Sequence, residues 1–245
     1  MSTWYRRIAL SDHWAARFVR SVHRLHYRVS LPIPGMVARP VVVVFLFLRS
    51  IYFFLFRVCL AEPFFRSYCA RVGKNFHTGA HLHWVMGRGA IVIGDNVVID
   101  GKCHFFFAVR YVETPTLTIG DDTGIGHNCA FTVGRAIAIG RKCRIGGNVV
   151  FFDTPGHPTD PERRQAGAPA NPEDVRAIRI GDNVWIGSGA TIFPGVTIGD
   201  NSVVAYGSMV MSSVPENVVV SGNPARQVAK LPMATKALLV DDATT

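Results

Sequence analysis

Cysteine is scarce in this chain of 245 residues and never closely paired. The five are Cys59, Cys69, Cys103, Cys129 and Cys143, and none forms a C-x-x-C pair. Buried, reduced thiols in a cytosolic domain are the simplest expectation. No glycine-rich phosphate loop is present, so a nucleotide held by a P-loop is not expected. Histidines do not recur in pairs at any regular spacing, which leaves a three-histidine zinc site without ligands. Acidic residues are nearly missing from the first third. Residues 1–88 hold 13 Lys/Arg against only Asp12 and Glu62, a balance of +11, whereas residues 89–245 carry −2, together the formal +9. No apolar run occurs in the first forty residues, so a secretory signal is not expected.

A basic segment can serve nucleic acid or an anionic membrane surface. Its apolar content favours the membrane, and no nucleic-acid module is recognisable, so no nucleic-acid partner is expected. Pro40–Leu60 reads P-V-V-V-V-F-L-F-L-R-S-I-Y-F-F-L-F-R-V-C-L, about the length needed to cross a bilayer. Arg49 sits near its centre, where insertion costs roughly 2.5–3.5 kcal/mol. Both flanks are basic, and the positive-inside tendency draws both to the cytoplasm, which a single span cannot satisfy. An interfacial or re-entrant helix can. Met1–Ser30 adds Trp4, Tyr5, Ile8, Trp14, Phe18, Val22 and Leu25 among arginines and histidines. Residues 1–75 are therefore read as a helical membrane-associating region at the cytoplasmic face of the inner (plasma) membrane. A helical cap on the following domain is the alternative.

What the chain does have is a period. Ile180, Ile186, Ile192, Ile198, Val204 and Val210 return every sixth residue. An α-helix scatters such residues around its axis, and a lone strand uses period two. G-D-N at fixed offsets reads as a turn at each corner. Three short strands and three corners then make one coil with the aliphatic residue inward, which is a solenoid. The same register runs through Ile93 and Ile99, then Ile119, Ile125 and Phe131, then Ile139, Ile145 and Phe151. Two insertions break it, at roughly 106–116 and at 152–179. Insertions of this kind project from one face and are where binding is expected.

Two segments carry a family resemblance. F-F-D-T-P-G-H-P-T-D-P-E-R-R (Phe151–Arg164) and V-W-I-G-S-G-A-T-I-F-P-G-V-T-I-G-D-N-S-V-V, followed by S-G-N-P-A-R, are similar to the hexapeptide-repeat acyltransferases. The galactoside, maltose and polysaccharide O-acetyltransferases are the nearest in look. The resemblance implies a mainly β fold, a left-handed parallel β-helix of about five coils over residues 76–230, with a short tail at 231–245. It implies a homotrimer, acetyl-CoA as acyl donor, no metal, and a sugar hydroxyl as acceptor. A lipid-linked or exported glycan precursor is suggested by the N-terminal region.

The resemblance also assigns residues. His157 would be the general base, a task imidazole suits because its pKa lies near operating pH. Asp153 would hold the other ring nitrogen, or else cap a turn. Asn128 and Arg163 would contact the acceptor. The donor would pass Trp185, Ser188, Gly189, Ala190, Tyr206, Ser208 and Arg226, with corner amides left free by neighbouring coils bonding its pantetheine arm and the tetrahedral oxyanion. Val133 and Gly134 stand where these relatives tend to carry an acidic residue, so the acceptor contacts differ here. The alternatives are a non-catalytic membrane-docked trimer, an N-acyltransferase on an amino sugar, and a γ-carbonic anhydrase. The last needs histidine pairs that this chain does not offer.

Overall fold

The computed structural model describes residues 10–28, 30 and 33–232. The chain divides between Ser50 and Ile51. Upstream of that point, helix α1 (Trp14–Arg28) gathers Trp14, Phe18, Val22 and Leu25 at helical spacing, all of them exposed. Trp4, Tyr5 and Ile8 lie outside the described residues. Helix α2 (Gly35–Phe56) buries none of its residues. It continues through a π turn (Arg57–Ala61) into α3 (Glu62–Tyr68), a 34-residue helix from Gly35 to Tyr68 with a mean hydropathy of 2.2 in its most apolar window. By length and composition it could cross a membrane.

Residues from Ile51 onward contain the β-helix. Ala61 and Phe65 are buried, and the Phe65 ring lies 5.2 Å from that of Phe105, so α3 plugs one end of the solenoid. Glu62 ties this plug by pairing Arg57 at 3.2 Å and Arg66 at 3.0 Å. Three sheets of six, eight and six strands form the walls, and each coil gives one strand to each. Every coil-to-coil pairing is parallel, as in Ile137↔Ile178, Ile145↔Ile186 and Phe151↔Ile192. Among the described residues only the last hairpin, Val218–Gly222 with Ala225–Lys230, is antiparallel.

The six-residue register is confirmed residue by residue. Ile180, Ile186, Ile192, Ile198, Val204 and Val210 all point inward and are buried, each contributing roughly 2 kcal/mol of apolar burial. Phe105, Phe131 and Phe151 project inward from the third sheet and stack at 5.2 and 5.1 Å, nearly parallel. Cys103, Cys129 and Cys143 are buried and free, as small apolar corner residues. The corners explain G-D-N: Asn96, Asn183 and Asn201 adopt positive φ, and side chains form ladders such as Asn183–Asn201–Asn217 at 2.9 and 3.0 Å.

Two boundaries differ from expectation. The ladder starts at Arg71–Val72, which pairs with Val92–Ile93, one coil before Ile93 and upstream of residue 76. Sheets one and three accordingly carry six strands rather than about five. Thr78 occupies the inward position where an aliphatic residue would have signalled that coil, and Val85 follows after seven residues rather than six. Residues from Ile51 onward belong to the same compact unit as the solenoid, with Ala61 and Phe65 buried and residues 51–55 and 58–60 exposed. The expected tail at 231–245 lies outside the described residues beyond Pro232.

Candidate active site

The strand Val150–Phe152 ends in the larger insertion, and alternation along it sets the site. Phe151 is inward, Phe152 is half-buried on the outer side, and Asp153 is inward again and fully buried. The Asp153 carboxylate accepts from the backbone amides of Gly134, Arg135 and Ala136, the last two at 2.7 Å. Burial pushes this carboxyl above its usual range, opposed by the three amides. No hydrogen bond joins Asp153 to His157. This corrects the expectation that Asp153 fixes the histidine tautomer: its oxygens are consumed in holding the 134–136 turn, the capping alternative.

His157 is exposed, four residues further on, in a loop with its own internal framework. Gly156 sits at φ 80 with nothing within 4 Å of where a Cβ would be, a left-handed turn that lifts the histidine away from the wall. Pro158 is buried behind it. Asp160 caps α4 (Pro161–Gln165), accepting from the Arg163 amide at 2.8 Å. Arg164 reaches back to donate to the carbonyls of Pro158 and Thr159 at 3.2 and 2.9 Å. H-P-T-D-P-E-R-R is thus a self-clamped loop with His157 at its leading edge. Arg163, expected to contact the acceptor, instead donates to Asn171 within the same insertion.

A cavity of about 380 Å³ opens at His157. Its walls come from both insertions: Phe106, Val109, Arg110 and Tyr111 from the first, Thr154 and Gly156 beside His157 from the second. The two places where the repeat breaks therefore meet around the candidate base. Arg110, Tyr111 and Thr154 were not singled out from sequence, although the first insertion had marked their neighbourhood. The position where the resemblance led one to look for an acidic residue is tight here: Val133 and Gly134 are buried, and a Cβ on Gly134 would lie 3.1 Å from Thr154 and 3.0 Å from Val175.

The other expected contacts sort by direction. Asn128 occupies a positive-φ corner and donates to Asn148 at 2.8 Å, a ladder role, and it does not line the His157 cavity. Trp185 is 58% exposed on the second sheet and lines a separate groove of about 290 Å³ with Val98, Asp100, Gly124 and Arg144. Gly189 and Tyr206 are exposed at the next corner, and Arg226 is exposed on the terminal hairpin. Ser188 is half-buried and accepts from the Gly147 amide at 3.1 Å. Ala190 and Ser208 are corrected: Ala190 lies within the apolar core, and buried Ser208 accepts from the Gly222 amide, so neither side chain faces a donor. The corner amides of Gly187, Gly189 and Gly207 are not free either. They donate to Val204, Gly147 and Ser188 carbonyls of adjacent coils at 2.8, 2.9 and 3.0 Å. Corner glycines such as Gly146 and Gly187 serve stacking, since a Cβ there would lie 2.5 and 2.6 Å from the next coil's backbone.

His83 cannot serve a metal as placed. The Cys103 amide donates to its Nδ1 at 3.1 Å, so its Nε2–H donates to Thr78 at 2.7 Å. Burial lowers its pKa to about 4.

Comparison with known proteins agrees with this architecture. The family described as bacterial transferase hexapeptide (six repeats) matches residues 177–211, and the hexapeptide repeat of succinyl-transferase matches 116–151. An acetyltransferase-named protein of Saccharomyces cerevisiae is 46% identical over 46% of this chain and 55% of its own length. The galactoside O-acetyltransferase of Escherichia coli is 33% identical over 69% of this chain and 68% of its own. The chain thus spans little more than half of the first relative and about two thirds of the second. Among solved structures, the hexapeptide-repeat acetyltransferase VCA0836 from Vibrio cholerae superposes with a TM-score of 0.50 at 30% identity, covering 69% of this chain and 77% of the other. One residue in three shared across two thirds of both chains, laid on the same repeat, is common descent: this chain belongs to the hexapeptide-repeat O-acetyltransferase family.

Proposed function

We propose that this protein transfers an acetyl group from acetyl-CoA to a hydroxyl of a sugar, with His157 as general base. The observation that carries the reading is one exposed imidazole, held by a self-clamped loop at the mouth of a cavity built from both breaks in the repeat. Neutral imidazole takes the acceptor's hydroxyl proton as the oxygen attacks the thioester carbonyl carbon. The carbon–sulfur bond then breaks, and the imidazolium returns the proton to the departing thiolate. Such proton transfer contributes typically about 10²–10⁴-fold.

The donor arm lies along the Trp185 groove, past Ser188, Gly189 and Tyr206, with Arg226 near its nucleotide end. Within one chain this groove and the His157 cavity share no lining residue. A trimer resolves that separation by setting one subunit's groove against the next subunit's loop. The acceptor is a lipid-linked or exported glycan precursor, met at the cytoplasmic face of the membrane. The exposed apolar helix Gly35–Tyr68 and the basic, aromatic segment before it support that placement.

Mass spectrometry of glycans from cells with and without the protein tests the reaction. One acetyl group per modified sugar should vanish in its absence and return with the wild-type chain but not with His157→Ala. Unchanged glycan acetylation in cells lacking the protein overturns the proposal.

A further inference from the structure

We infer that the acceptor sugar carries an anionic group, a phosphate or a carboxylate, and that Arg110 binds it; this deepens the sugar-acyltransferase reading of the His157 cavity and rests on it. Arg110 lines that cavity and is exposed, and among the described residues it makes no hydrogen bond or ion pair. Arg57, Arg66, Arg141, Arg144, Arg163 and Arg164 each donate to a partner within this part of the chain. Arg71, Arg88, Arg135, Arg176 and Arg179 share with Arg110 the lack of a side-chain partner among the described residues, but of these six only Arg110 lines the His157 cavity. A guanidinium presents donors in a planar fork that fits two oxygens of one phosphate or carboxylate. Here that fork is left for a ligand.

The rest of the cavity favours the same sign of charge. Among the described residues no acidic one lines it. Asp153 is close in sequence, but its carboxylate is sealed inside the wall on the amides of Gly134, Arg135 and Ala136. At the neighbouring wall position stands Gly134, where a Cβ would already press on Val175 at 3.0 Å and on Thr154 at 3.1 Å, and no carboxylate is present. A neutral sugar would leave Arg110 unanswered, whereas an anionic one pairs with it away from any competing acid. Phe106 and Tyr111 add aromatic faces for the apolar side of a sugar ring, and Thr132 and Thr154 line the same cavity. The volume, at the small end of ligand pockets, suits one sugar unit with its charged substituent.

The test uses the full chain in detergent micelles with acetyl-CoA and matched acceptors: galactose, galacturonate and galactose 1-phosphate, and their gluco counterparts. We expect kcat/KM for one charged series to exceed the neutral sugar by roughly 10- to 100-fold, the worth of a charge-assisted contact. The two charged arms tell carboxylate from phosphate. Arg110→Gln should collapse the charged-to-neutral ratio toward one, Arg110→Lys should restore part of it, and added salt should erode it. Because Arg110 makes no contact that folding uses, melting temperatures of the variants should match the parent. Transfer without charge preference, or a ratio unchanged in Arg110→Gln, overturns this inference alone. Transfer to no sugar at all overturns the proposed function and this inference with it.

Discussion

Asp153 and His157 stand four residues apart in the chain and in different environments in the fold. The carboxylate is inside the wall, satisfied by three amides, and the imidazole is outside it. Asp153→Asn turns an NH₂ toward amide donors and should cost about 1–3 kcal/mol of stability, read from urea unfolding. The pH–rate profile of that variant should keep the acid-limb midpoint of the parent, because Asp153 does not touch the imidazole. A midpoint shifted by a unit would restore Asp153 as the partner of His157. The candidate base was legible because H-P-T-D-P is a contiguous motif. The inward direction of Asp153 was not read from the sequence; it follows from the alternation Phe151 in, Phe152 out, Asp153 in. Family likeness pointed elsewhere, and strand geometry decided. Arg110 and Tyr111 carry no motif, and only the folding of one insertion against another brings them to His157.

Among the elements, the His157 loop and the first coil make separate predictions. Arg164 acts through the carbonyls of Pro158 and Thr159, so it is a positioning residue. Arg164→Gln should lower kcat about 10-fold, as expected when a base is held loosely, while KM for acetyl-CoA stays within about two-fold. A change confined to KM would place Arg164 on the donor instead. In the first coil, His83 is held neutral, with its pKa lowered to about 4 from 6.5 by burial, then by His81 and His104. The unfolded chain binds that proton between those values and the folded chain does not. Stability should therefore be full above about pH 6.5 and fall as the pH drops toward 4, by on the order of 2–3 kcal/mol. Urea midpoints across that window check it, and His83→Asn should flatten the slope. The coil around His83 was invisible in sequence because Thr78 sits at its inward position, whereas the later coils announce themselves with Ile, Val or Phe.

For the whole molecule, the long solenoid was readable because each coil repeats the same local solution. A corner residue takes positive φ, an aliphatic residue turns in, and the next coil stacks parallel. The limits of the β-helix were less readable, since α3 looks like a continuation of the apolar helix yet buries Phe65 in the solenoid end. A deletion that probes the membrane-associating region must stop short of the plug Glu62–Tyr68 and the first strand Arg71–Val72. Deleting residues 1–50 should lower binding to vesicles of phosphatidylserine and phosphatidylcholine at least 10-fold in a sedimentation assay, with the unfolding midpoint of the β-helix retained. Binding equal to the full chain would remove the membrane from the account.

The most direct measurement is acetyl transfer from labelled acetyl-CoA by His157→Ala, assayed beside the parent at equal trimer concentration set by analytical ultracentrifugation. A loss of at least about 100-fold in an intact trimer is the predicted result. Transfer within a few-fold of the parent would contradict it, and would leave the imidazole as a surface residue of a protein whose chemistry lies elsewhere.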